Sequence, residues 1–150
     1  MSAELSSNAA QNVSANGSVI FTEVPVPCKC GLVFFRIGSG IIRLVNRFFR
    51  QNVMNFWRRN SNYSVSFNAN IAIPTGGNVE EISLALAIDG EVDPSSTMIF
   101  TPAAVGDFGN VGMDVIVQVP YVCNCSSISI RNTSNQAITV QNANLIIDQA

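Results

Sequence analysis

The residues of this chain best suited to chemistry are four cysteines in two C-x-C pairs, Cys28-Lys29-Cys30 and Cys123-Asn124-Cys125. Positions i and i+2 of a strand share a face, so the pairs can meet as disulfides, within or between subunits, as a four-thiolate zinc site, or as buried free thiols. Structural zinc sites more often use C-x2-C, whose turn aims both sulfurs at one ion; disulfides are therefore favoured over Cys28, Cys30, Cys123 and Cys125 acting as metal ligands. The chain has no histidine, which removes the Ser-His-Asp and Cys-His nucleophile systems and the usual general base near neutral pH. Glu80 and Glu81 are adjacent in an extended segment and point to opposite faces, so they do not form an acid-base pair. Asp89, Glu91 and Asp93 crowd a turn, but calcium needs a cage of about six to eight oxygens, and the longer loop that would supply them is missing. Five N-x-S sequons begin at Asn12, Asn16, Asn62, Asn124 and Asn132, as chance allows in a chain this rich in Asn and Ser. No catalytic residue and no cofactor is expected.

Charge tells more about partners. Only 12% of the 150 residues are charged, 47% are apolar, and the net charge is −2. So little charge predicts that apolar surface is hidden against copies of the chain or a larger particle. Lys29, Arg36, Arg43, Arg47, Arg50, Arg58 and Arg59 all lie in an acid-free stretch between residues 24 and 60, and beyond it Arg131 is the one remaining cation among eight acids. Opposite fields on two parts of one chain suit subunit-to-subunit contact. Arg43, Arg47, Arg50, Trp57, Arg58 and Arg59 are the candidate partner-binding residues; a nucleic-acid partner is unlikely, because no recognised motif accompanies them. No apolar run approaches the roughly 20 residues of a membrane span, and the first 16 residues lack the features of a secretory signal, so a product made in the cytoplasm is expected.

The elements that must position these groups are strands. Tyr63, Val65, Phe67, Ala69, Ile71 and Ile73 alternate with Ser and Asn, the pattern of a strand with one dry and one wet face. The rhythm recurs at Ile82 to Ile88, Val111 to Val119, Ile128 and Ile130, Ile138 and Val140, and Ala143 to Ile147. Between Val140 and Ala143 the inward phase slips by one residue, which predicts a turn or bulge near Gln141-Asn142. Residues 19–26 read as an edge strand because of Pro25 and Pro27, Gly38-Ser39-Gly40 as a hairpin turn, residues 98–101 as a short strand, and residues 106–112 as a Gly-rich loop. Residues 41–57 admit two readings, a strand followed by a basic loop or a cationic amphipathic helix, of which the strand and loop fits the rest of the chain better. The prediction is an all-β, single jelly-roll sandwich of about eight to ten antiparallel strands over residues 18–150, preceded by a flexible polar arm at residues 1–17 that orders on a partner.

The stretches GSVIFTEVPVPC, GLVFFRIGSGIIRL, NYSVSFNANIAIPTGGNVEEISLALAIDGE, TMIFTPAAV and ISIRNTSNQAITVQNANLIID resemble small phage- and prophage-encoded proteins of Firmicutes, whose strand plan is similar to the C1q/TNF jelly rolls. That resemblance implies a compact homotrimer with the final strand in the middle of the inner sheet. It also implies a virion component, a capsid-decoration or head-fibre protein. Leu84, Leu86, Leu145 and Ile147 are the expected trimer core. The arm at 1–17 would hold a capsid or other virion protein, three arms acting together through effective concentration. The rival readings are a carbohydrate- or receptor-binding adhesion module, with Tyr63, Trp57 or residues 89–93 as contacts, and a bacterial spore or surface appendage subunit cross-linked by its cysteines.

Overall fold

The computed structural model describes residues 2–28, 31–46, 60–121 and 125–149. Among these residues twelve strands run in chain order: β1 (Ser2–Ser7), β2 (Gln11–Val13), β3 (Glu23–Val26), β4 (Val33–Phe35), β5 (Ile42–Val45), β6 (Ser61–Ala72), β7 (Ile82–Ile88), β8 (Glu91–Val92), β9 (Met98–Phe100), β10 (Gly109–Val119), β11 (Cys125–Asn132) and β12 (Ile138–Gln149). They form two antiparallel sheets. The first has the order β10-β6-β12-β1-β3, with β2 also on β12; the second has β4-β5-β11-β7-β8, with β9 also on β7. The final strand stands mid-sheet, as the resemblance implies, and the Pro-containing β3 is an edge, as its prolines predict, though it covers only residues 23–26 of the expected 19–26. No described helix is long and apolar enough to cross a membrane.

Period-two burial sets the sandwich. Every odd residue of β6 from Tyr63 to Ile71 is buried, and its inward partners on β12 are Leu145 and Ile147. Ile42, Leu44, Leu84, Leu86, Ile128 and Ile130 close the core from the second sheet. Where the two sheets open at one side, residues 18–22 cross between them. Ser18 bridges to Arg131 and the Val19 N–H donates to the Ile130 carbonyl (2.8 Å) in the second sheet, while the Thr22 N–H reaches the Ser6 carbonyl (3.1 Å) in the first. The Phe21 ring fills the gap edge-on, with its centroid 6.4 Å from Phe35 of β4 and 6.4 Å from Phe67 of β6. One aromatic side chain thus ties both sheets together.

The phase slip in the last strand is real. Gln141 pairs with Asn70 and Asn144 with Asn68, so Asn142 and Ala143 together face one residue of β6. Asn142 takes the left-handed conformation (φ 53°) that this bulge requires, which asparagine tolerates better than most side chains. The Gly-rich loop is shorter than expected, because strand β10 begins at Gly109. A side chain there would meet the Phe100 ring at 2.4 Å, so glycine at this position serves close packing rather than a turn.

The N-terminal segment differs more from expectation. Within the expected arm of residues 1–17, the described part, residues 2–17, is not free: β1 lies between β12 and β3, with Ala3 and Leu5 buried, and β2 pairs with Ile138–Val140 of β12. Asn132, fully buried, holds the chain just after β2. Its Nδ2 donates to the carbonyls of Val13 (3.1 Å), Ser14 (3.2 Å) and Gln136 (2.9 Å). These strands carry little apolar pattern of their own, and backbone pairing to β12 supplies what their side chains do not. They also bring the strand total above the eight to ten expected.

Replacing Phe21 with Ala should lower the unfolding free energy by about 3–5 kcal/mol, because the cavity opens between two sheets that cannot both move in; urea unfolding followed by fluorescence measures it. At the bulge, Asn142→Gly should leave the urea midpoint nearly unchanged, whereas Asn142→Val should cost about 1–2 kcal/mol for a β-branched residue forced into the left-handed region.

Candidate binding surfaces

The two described sulfurs are in different states. Cys28 is disulfide-bonded and Cys125 is a half-buried free thiol, while Cys30 and Cys123 lie outside the described residues. A sulfur already in a disulfide is not a thiolate ligand, which is at odds with a zinc site containing Cys28. Among the described residues no three Cys, Asp or Glu side chains cluster as metal ligands.

The acidic turn is occupied with its own backbone. The Asp89 carboxylate accepts the Ser127 N–H (2.9 Å), and Asp93 accepts both the N–H (3.1 Å) and hydroxyl (2.7 Å) of Ser95, capping the short 3-10 turn Pro94–Ser96. Asp89 itself is left-handed (φ 51°), followed by Gly90 (φ 86°), the pair that turns the chain from β7 into β8. The sequon at Asn132 is closed to modification, since that amide is fully buried and its nitrogen is committed to carbonyls.

Several expected contact residues turn out to be interior. Leu84, Leu86, Leu145 and Ile147 are fully buried by their own chain, between the two sheets, so they cannot be the surface on which three copies meet. Alternation decides this, because the residues on the dry phase of each strand are consumed by the sandwich and only the other phase faces outward. Tyr63 is likewise fully buried, with its hydroxyl donating to the Val45 carbonyl; it is not a ligand contact. Of the predicted partner-binding set, Arg43 stands on the outward face of the second sheet, its guanidinium 5.9 Å from the centre of the Phe34 ring. Arg47, Arg50, Trp57, Arg58 and Arg59 lie outside the described residues, as does most of the stretch whose strand or helix character the sequence left open. Its beginning, Ile42–Val45, is strand.

Two outward faces of opposite character remain. No strand of the first sheet contains Lys or Arg, while Glu4, Glu23, Asp114 and Asp148 all belong to it. Its outward side chains bond sideways to one another: Asn110 to Asn70 (3.1 Å), Gln118 to Asn62 (3.4 Å), Ser66 to Asp114, Asn144 to Glu4 (2.7 Å) and Thr139 to Asn12 (3.0 Å). Out of this polar lattice rises Ile116, 70% exposed. The second sheet presents Arg43, Arg131 and Glu91, with exposed Phe34 and Ile99 and half-buried Ser127, while Ser129, Ala85 and Ala87 of the same phase are buried. Alternation in the sequence predicts which residues face outward, but not that the outward phases of β6, β10 and β12 would knit into one lattice.

Comparison with solved structures places this architecture. Eiger TNF from S. frugiperda superposes with a TM-score of 0.66 at 8% identity, covering 100% of this chain and 92% of that one. Murine APRIL gives 0.62 at 8% identity, with 99% of each chain covered. The globular domain of zebrafish complement 1qA protein gives 0.58 at 10% identity, covering 96% and 94%. The fold is the C1q/TNF jelly roll. No protein-family model and no curated protein sequence matches the chain, so the likeness is one of fold alone.

The two sulfur states can be told apart chemically. Alkylation under native conditions without reductant should modify Cys125 and spare Cys28, and Cys28 should become reactive only after reduction; peptide mapping by mass spectrometry reads both.

Proposed function

We propose that this chain is a non-catalytic display protein that assembles as a homotrimer through the outward face of its first sheet and turns its second sheet outward to bind. The observation that carries this reading is the cation-free, laterally bonded lattice with Ile116 standing out of it. A sheet face meant for solvent usually intersperses both signs of charge. Here the rotamers are already held by neighbouring side chains, so association freezes little further motion. The acids of this face are complementary to the cation-rich stretch between residues 24 and 60 of a neighbouring copy, the relation expected of a head-to-tail ring that closes at three. Absence of histidine from the chain and commitment of Asp89 and Asp93 to backbone donors support a role without catalysis.

The setting implied by the sequence resemblance is the surface of a phage particle, as a decoration or head-fibre protein. Three copies of the second sheet on one trimer would then multiply weak contacts through effective concentration. Attachment would have to use a surface other than residues 2–13, which are built into the first sheet and cannot peel away without breaking its pairing to β12. Comparing binding of the labelled trimer to purified particles and to host cells separates decoration from adhesion to a glycan or receptor.

In sedimentation equilibrium at micromolar concentration the protein should show three times its 16.1 kDa chain mass. Ile116→Arg should reduce this to a single chain while the circular dichroism spectrum is kept. A wild-type monomer under those conditions overturns the proposal.

A further inference from the structure

We propose that a cleft on the outward face of the second sheet, organised around Arg131, binds a sugar ring bearing a carboxylate, such as a terminal uronic or sialic acid of a glycan. The cleft has a volume of about 410 Å³, within the range of small-molecule sites. It arises where β11 changes neighbours. The ladder to β5 ends at Ile42 opposite Ile128, and residues 18–19 take over at Ile130 and Arg131, leaving a notch beside Ser129. On the other side β7 sets Ala87 opposite Ser129 and Ala85 opposite Arg131, both fully buried and outside the lining, so the cleft opens toward Ser18 and Ile41 on one flank and Asp89 and Gly90 on the other.

The lining is matched to such a ligand. Ser127, Ser129 and Arg131 alternate along β11 and therefore share its outward face. Arg131 is half-buried, and its Nε is shielded from solvent with no hydrogen-bond partner among the described residues. Among the described residues no ion pair neutralises it. A guanidinium donor placed out of water without an acceptor is costly, and a ligand carboxylate accepting from the Arg131 fork removes that cost. Asp89, at the other end of the cleft, uses one oxygen for the Ser127 N–H and leaves the second for a sugar hydroxyl. The Ser127 and Ser129 hydroxyls can donate to or accept from ring hydroxyls. Ile41, 60% exposed, provides an apolar wall for the C–H face of the ring. Simple anions would satisfy the arginine alone; the combination of one cation, one carboxylate, three serines and an apolar wall fits an acidic sugar.

This site deepens the display role proposed above by naming its ligand class, yet it is complete within one subunit, so it can be tested without the trimer. Calorimetric or NMR titrations use glucuronate, N-acetylneuraminate, glucose and acetate, each to the order of 10 mM, against wild type and the monomeric Ile116→Arg variant. The expected result is saturable binding of an acidic sugar to both proteins, at least about tenfold tighter than glucose or acetate. Arg131→Gln should abolish it, Ser129→Val should weaken it by filling the floor, and Arg36→Gln, a charge-matched change outside the cleft, should leave it unaltered. Should Arg131→Gln fail to fold, the wild-type selectivity and Ser129→Val decide the matter. Binding by neither acidic sugar, or acetate binding as tightly as the better of them, overturns the proposal, and so does unaltered affinity in Arg131→Gln. If binding holds while wild type proves monomeric, only the trimer falls.

Discussion

The register of β12 is the constraint on which the rest of this molecule depends. That one strand pairs with β6 on one edge and with β1 and β2 on the other, and a shift of one residue would turn its whole apolar set outward. Left unbroken, its own sequence would do just that halfway along, since Ile138 and Val140 are in one phase and Ala143, Leu145 and Ile147 in the other. The bulge at Asn142 corrects the phase, keeping all five against the core. With the register held, β6 and β10 fall into line beside it, and their wet faces come together as a continuous polar lattice. Phe21 then locks the second sheet over this first one.

From that arrangement follows a division of labour between the faces. Dry phases of both sheets are spent inside a single chain, so whatever this protein does to a partner must be done with the wet phases. The first sheet's wet phase is acidic, amide-rich and internally bonded; the second sheet's carries arginines, hydroxyls and isolated apolar groups. A surface whose side chains already satisfy one another has little left for a small ligand, and it suits a broad, flat contact. An arginine with a shielded, unpartnered nitrogen beside small residues has the opposite character and suits a compact anionic ligand.

The N-terminal strands show where reading by pattern stops. Ser2–Ser7 contains only Ala3 and Leu5 as inward apolar residues, and Gln11–Val13 only Val13, too few for a period to be seen. What holds them is main-chain pairing to β12 and the carbonyls gathered by Asn132, an amide 119 residues away from Val13. A comparable separation lies within the first sheet, where Asn144 of β12 bonds Glu4 of β1 across 140 residues. The expected trimer core was misplaced for a related reason, since alternation marks which residues are dry without saying whether their own chain or a neighbour dries them.

What the sequence by itself determined is local: the strands, their dry and wet phases, the bulge near Asn142, the edge position of the Pro-containing strand, and the lack of histidine chemistry. Each of these rests on residues one to a few positions apart, where side-chain direction follows directly from backbone period. Only the tertiary structure decided that the polar N-terminus is a strand, that Leu84, Leu86, Leu145 and Ile147 are interior, and that Arg131 borders a cleft with Asp89 and three serines. Those outcomes depend on which distant segments pair, and pairing is settled by the packing of the whole chain, which no short stretch encodes.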